Sequence, residues 1–183
     1  MSASKYKYKL ISEKNTFLVP ITDQSLEALP ETLSIEGIEF SKKPEFHVTV
    51  ISFPGGKKLG EFFKDDVLLK DRIIELINQF DWSDYFLDDE KYRIAKDKQF
   101  FTLQGDGKDK KKVWQIVHAE SIIQKVTLPY ITEFYRRLKE ELGVNLGEVP
   151  PVHVTLYTHG DSMGIAIHSA EDFVSLNPRK IEL

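Results

Sequence analysis

The sequence predicts an α+β fold built by internal duplication, and three observations carry that expectation. Strand-like and helix-like patterns alternate along the whole chain. Each half runs strand, helix, loop, strand. The closing strand of each half spells nearly one heptapeptide, "PEFHVTV" at 44–50 and "PPVHVTL" at 150–156. The Pro, His, Val and Thr are identical, and the third and seventh positions are apolar in both copies. At 183 residues the chain forms one sizeable core and one domain, with lobes at about 1–105 and 106–183.

The elements follow in order. A first strand is predicted at Thr16–Ile21, then a short helix with Thr22 or Asp23 as cap and Pro30 near its end. Residues 35–40 read as a strand. Phe46–Ser52 reads as another, ending at a "PGG" turn, Pro54–Gly56. Val67, Ile73, Ile74, Ile77 and Phe80 recur at helical spacing and predict a helix over 62–80. Two short strands, near Tyr92–Lys96 and Phe100–Leu103, lead into "QGDGKDKKK", an exposed turn. The second half opens with a strand at Val113–Ala119 and a helix at about Ser121–Leu142 that Gly143 stops. Pro129 gives that helix an alternative start. The second repeat strand covers 152–158. A short strand at Gly164–His168 and a capped turn at "SAED" close the chain.

Composition excludes several classes of function. Hydrophobic residues at 41% and charged residues at 30% match an ordinary soluble globular protein. No 18 apolar residues run together, and "MSASKYKYKL" has no apolar core of a signal peptide, so a cytoplasmic protein with no membrane partner is expected. The absence of cysteine rules out disulfides, thiolate catalysis and Cys-based metal clusters, and fits a reducing compartment. A net charge of −4 does not suit a protein that tracks a long duplex. It suits a small anionic group or the end of a polynucleotide.

The repeated motif carries the chemistry. Side chains alternate along a strand, so His47 and Thr49 share one face, and Phe46, Val48 and Val50 the other. His153 and Thr155 likewise share a face opposite Val152, Val154 and Leu156. Two such polar pairs facing one another suit phosphoester cleavage. A neutral imidazole takes a proton from the attacking oxygen, and a charged one gives a proton to the leaving oxygen. The hydroxyls hold the non-bridging oxygens. Five His and nine Thr give two His-x-Thr triplets, well above chance placement. Threonine is a poor zinc ligand, so neither a metal nor another cofactor is expected.

"HVTV" at 47–50 and "HVTL" at 153–156 resemble the paired H-x-[T/S]-x signatures of the 2H phosphoesterase superfamily, which includes 2′-5′ RNA ligase-like proteins and cyclic nucleotide phosphodiesterases. The resemblance spans most of the chain through its repeated strand–helix–strand order, and its specificity lies in the two tetrapeptides. It implies a bilobal, pseudo-twofold α+β fold with two antiparallel-rich sheets flanking a central groove. It also implies a metal-independent phosphodiesterase acting on a 2′,3′-cyclic phosphate, a cyclic nucleotide, or a 2′-5′ or 3′-5′ oligonucleotide linkage. His47 and His153 are then the acid–base pair, and Thr49 and Thr155 grip the phosphate. The implied partner is a nucleotide or RNA-end substrate. The alternatives are an RNA-end ligase using the same groove and a non-catalytic binding module for a nucleotide or RNA end. The longer stretch between the motifs, with the helix near 62–80, departs from compact members and leaves the substrate open. Oligomeric state is not legible.

Other residues are weaker candidates. Tyr157 continues the alternation onto the His153 face and is read as a substrate contact. His159 follows it at the strand's end, where alternation fails. His118, in "VWQIVHA", reads as a structural histidine. Lys43 is read as substrate-binding, one of four lysines (with Lys42, Lys57 and Lys58) that bring positive potential to the groove mouth. The "KDKKK" run at 108–112 reads as a solvated turn.

Overall fold

A computed structural model describes residues 14–104 and 111–183; the opening segment and most of the "QGDGKDKKK" turn lie outside the described residues. The fold is α+β. Strands β1 (Phe17–Pro20), β2 (Thr32–Ile35), β3 (Ile38–Lys42), β4 (His47–Ile51), β5 (Phe86–Gln104), β6 (Lys111–Thr127), β7 (His153–His159) and β8 (Arg179–Ile181) form one antiparallel sheet. The main path runs β1-β4-β7-β6-β5-β8, with the β2–β3 hairpin attached through β3 to the far end of β7. Where two sheets were expected there is one, and the two motif strands β4 and β7 are neighbours within it.

The helices α2 (Phe53–Asp65), α3 (Leu69–Ile77) and α4 (Ile131–Leu142) cover one face of this sheet. Leu59, Ile73, Ile77, Phe134 and Leu138 from the helices bury against Val48, Val50, Ile122, Val154 and Leu156 from the strands. Aromatic rings knit the layer together: Phe134 meets Trp82 at 5.4 Å and Phe80 at 6.0 Å, and Phe17 meets Trp82 at 5.0 Å, all edge-on. On the opposite face a smaller core gathers Ile94, Ala119 and Ile123 of β5 and β6 with Ile165 and Ile167, and Phe173 of α5 (Ala170–Ser175) packs onto it. That second layer packs on β5 and β6, and its loop 163–168 reaches over Thr155 of β7.

Several elements differ from the sequence reading. "PGG" is the first turn of α2, with Pro54 at the helix start, where its missing N–H costs nothing. The predicted helix over 62–80 is two helices, broken at Asp66–Leu68. Residues 121–127 extend β6 instead of starting a helix, because "SIIQKVT" is rich in β-branched side chains and Pro129 delays the helix to Ile131. The strand read at 35–40 is a hairpin that turns at Glu36 and Gly37, both at positive φ. Residues 164–168 form no strand; they are a loop whose isoleucines fill the second core. The Asp23 cap of α1 (Gln24–Glu27), the Ser169 cap of α5 and the Gly143 stop of α4 occur where the sequence puts them. No helix among the described residues is long and apolar enough to cross a membrane.

Phe134 is fully buried at the centre of the aromatic layer. Replacing Phe134 with Ala should cost about 3–5 kcal/mol, because the cavity cannot collapse between rigid rings. Urea denaturation at neutral pH measures it as a lower midpoint.

Candidate active site

Pairing of Val48 with Val154 fixes the register between β4 and β7. One step to either side, His47 lies across from Thr155 and Thr49 across from His153. Residues directly opposite share a face. The four polar side chains therefore form a two-by-two patch on the face the helices do not cover. Val48, Val50, Val154 and Leu156 point the other way and are buried. A slip of one residue would drive both imidazoles into the apolar core, so the core that holds the sheet also holds the patch.

All four side chains line one pocket of about 300 Å³, with Ser52, Lys98, Pro151 and the loop 163–168 completing its wall. Gly164, at φ +78°, supplies the left-handed backbone with which the loop passes over Thr155. Lys98 reaches the pocket from β5, where its ammonium donates to Asp161 at 2.5 Å and to the Gly164 carbonyl. Burial alone would raise the Asp161 pKa, but the Lys98 bond and charge hold this carboxyl below its ordinary range. Ser52 is the N-cap of α2, yet its side chain makes no capping bond. The partial positive charge of a thirteen-residue helix thus begins at the pocket wall. No Asp or Glu lines the pocket. Among the described residues, no three His, Asp or Glu side chains gather as a metal-binding set.

The His153 imidazole is held in one tautomer. His153 Nδ1 lies 2.8 Å from the Pro151 carbonyl oxygen. A carbonyl only accepts, so Nδ1 carries the proton and Nε2 presents its lone pair. Burial pushes the His153 pKa below its ordinary value, the Pro151 bond opposes that shift, and the neighbouring His47 reinforces it. His153 is therefore built to be neutral, in one tautomer.

Two further cavities flank the pocket. One, about 890 Å³, shares His47 and is walled by Pro20, Thr22, Lys43 and Phe46. The other, about 330 Å³, shares His153 and is walled by Lys125, Pro151 and Phe173. Each imidazole thus stands between the central pocket and a side cavity. Lys43 sits on the larger cavity, donating from Nζ to the Ser162 carbonyl at 2.6 Å.

Tyr157 is not on this face. The pairing of β7 with β6 steps from Thr155↔Ile123 to Tyr157↔Ile122, so Leu156 is an extra residue and the alternation reverses after it. Tyr157 is buried in the helical core, and its hydroxyl donates to the Pro30 carbonyl at 2.9 Å. The reading of Tyr157 as a substrate contact is corrected on that ground. The same bulge sends His159 to the far side, where Nδ1 donates to the Glu39 carbonyl. His118 donates to Asp97 at 2.7 Å, a bond that raises its pKa. The sequence reading missed Ser52, Lys98 and the Pro151 carbonyl. Lys98 has no local signal, because its place depends on pairing with a strand nineteen residues away. Pro151 sits two residues before His153, but nothing in the letters says that its carbonyl turns back.

No protein-family model, curated protein or solved structure matches this chain.

Replacing Tyr157 with Phe removes one hydrogen bond to a carbonyl beyond the sheet and nothing from the pocket. Stability should fall by about 1 kcal/mol in urea denaturation, with the circular dichroism of the folded chain unchanged.

Proposed function

We propose that the chain is a metal-independent phosphodiesterase that cleaves a 2′,3′-cyclic phosphate or an oligonucleotide linkage, with His153 as general base and His47 as general acid. The observation that carries this reading is the two-by-two patch of imidazoles and hydroxyls in a pocket that no carboxylate lines. Diagonal neighbours across an antiparallel pair stand roughly 7–8 Å apart. That gap admits one phosphate between the two rings, with a hydroxyl beside each. The bilobal duplication implied by the repeated motif belongs to the same proposal: antiparallel pairing relates the two His-x-Thr copies by a local twofold, which sets the rings on opposite sides of phosphorus.

The steps follow. The Nε2 lone pair of His153 takes a proton from the attacking oxygen, that of water or of a ribose hydroxyl. The new P–O bond forms as the bond to the leaving oxygen breaks in line with it. That oxygen takes a proton from His47. Thr49 and Thr155 donate to the non-bridging oxygens, and the N-terminus of α2 adds positive potential. The two rings have then exchanged protonation states and reset through solvent. The fixed tautomer and depressed pKa of His153 favour it as the base. On this assignment the leaving group departs on the His47 side, beside the larger cavity, which has room for a nucleoside. Lys43 lies along that path and is proposed to meet the substrate there.

Each single replacement, His47→Ala or His153→Ala, should lower turnover of 2′,3′-cyclic mononucleotides by about 10²–10⁴-fold, with circular dichroism unchanged. Mass analysis of the products separates hydrolysis from ligation, and wild-type-like turnover by the double variant would refute the proposal. A base works only when deprotonated, and a lowered pKa extends that state to lower pH. The acid limb of kcat/KM should therefore have its midpoint below 6.5, the ordinary histidine value. A limb centred above 6.5 would reject His153 as the base.

A further inference from the structure

Beyond Ala95 and Glu120, β5 and β6 leave the sheet as a two-stranded ribbon. The pairing of β5 with β8 stops at Arg93, and that of β6 with β7 stops at Glu120. The ribbon stays paired from Lys96↔Ala119 out to Gln104↔Lys111, a span of roughly 27 Å at the usual rise of an antiparallel strand. Ile94 faces the second core, so alternation puts Lys96, Lys98 and Phe100 on that same face, the one that carries the pocket. The register adds Gln115, opposite Phe100, and Lys111, opposite Gln104. This face of the ribbon holds three lysines and no carboxylate. Asp97 is on the reverse face, bonded to His118. Phe100, 41% exposed, is the aromatic ring of the pocket-side face.

We infer that this face is the track for a single-stranded RNA tail whose cyclic-phosphate end sits in the pocket. The inference rests on the proposed phosphodiester chemistry for the kind of strand, and on the ribbon's own residues for the binding. Two contacts join the track to the site. Lys98 lines the central pocket together with both motif pairs. Its ammonium donates to Asp161 and to the Gly164 carbonyl, and Lys43 of the larger cavity donates to the Ser162 carbonyl between them. The root of the ribbon therefore meets the pocket and the cavity proposed for the nucleoside at one loop. The ribbon leads outward from that point.

The residue types select the strand. Lys98 spends its charge on Asp161. Lys96 near the root and Lys111 at the tip pair with no carboxylate among the described residues, and they answer phosphates. Phe100 lies midway between them and stacks a base, and the Gln115 amide beside it offers a donor and an acceptor to a base edge. A duplex hides its base faces inside the stack and leaves Phe100 without a partner. A lipid surface fits the reverse face instead, where Trp114 and Ile116 are more exposed.

Fluorescence anisotropy of a labelled single-stranded RNA, titrated with the full chain, tests the inference. A strand of abasic sites and a duplex serve as further probes, and co-sedimentation with anionic vesicles as another. The single strand should bind, and the abasic strand and the duplex should bind more weakly. Phe100→Ala should weaken single-strand binding by about 5–150-fold. Lys111→Gln should lower the slope of log affinity against log salt by about 0.7. Ile116→Ser, on the reverse face, should change neither. A cyclic phosphate at the end of an oligonucleotide should exceed the cyclic mononucleotide in kcat/KM, and Phe100→Ala should remove that excess while turnover of the mononucleotide stays the same. A strand that does not bind, that binds no better than its abasic form, or that Phe100→Ala and Lys111→Gln leave bound overturns the track, whatever the turnover. Vesicle binding in place of strand binding, lost in Ile116→Ser, overturns it too and assigns the ribbon to a lipid surface. A strand bound with this dependence on one face but never cleaved upholds the track and refutes the proposed chemistry instead.

Discussion

The antiparallel pairing of β4 with β7 is the constraint on which the candidate site depends. It is held in register by Val48 and Val154, both fully buried on the helical face. Strand alternation then leaves the other face no choice. If valine and leucine face the helices, histidine and threonine face the groove. The site is thus a by-product of core packing in a direct sense. The hydrophobic free energy that fixes the register, about 25 cal/mol per Å² of apolar surface buried, also fixes the spacing of the two imidazoles. No separate device is needed to hold them.

One residue breaks the symmetry. β4 ends at Ile51 and runs at once into α2, whereas β7 continues past a bulge at Leu156 to His159. The bulge turns Tyr157 into the core and lets the upper half of β7 pair with β3 instead of β4. The Lys43 amide takes up the Leu156 carbonyl at 2.8 Å, so the extra residue is not left unpaired. After β7 the chain reverses at Gly160, where a Cβ would strike the His118 carbonyl at 2.2 Å. This tight passage brings the loop 161–168 back over Thr155. The two motif strands are alike in letters but not in surroundings: β7 continues through a bulge and a tight turn into the loop over Thr155, whereas β4 passes straight into α2. Burial lowers the His153 pKa, and the Pro151 carbonyl fixes its tautomer.

The sequence made legible what alternation and capping govern. His47, Thr49, His153 and Thr155 were readable because period-two alternation needs no tertiary knowledge. The caps at Asp23 and Ser169 and the stop at Gly143 were readable for the same reason. Tyr157 was misread because a bulge is a property of two strands and is visible only in their pairing. Residues 121–127 were misread because "SIIQKVT" satisfies either element, and its burial between β5 and β7 decides for the strand. The single sheet, in place of two, follows from β6. It is long enough to pair with β7 at one end and to carry the ribbon at the other.

Electrostatics supports the proposed reading of the pocket as an anion site. The chain holds 29 acidic residues, yet none lines the central pocket. Elsewhere, carboxylates near the sheet are answered in place. Glu120 is gripped by the Arg93 guanidinium, and Glu90, held down to about 2, by Lys125, Tyr92 and Lys180. Asp161 sits beside the pocket but spends its charge on Lys98. The absence of a lining carboxylate in so acidic a chain supports the proposed phosphate site. With no carboxylate along the pocket wall, the charge state of one imidazole is felt by the other. Burial lowers the His153 pKa first, and the charge of His47 adds to that shift.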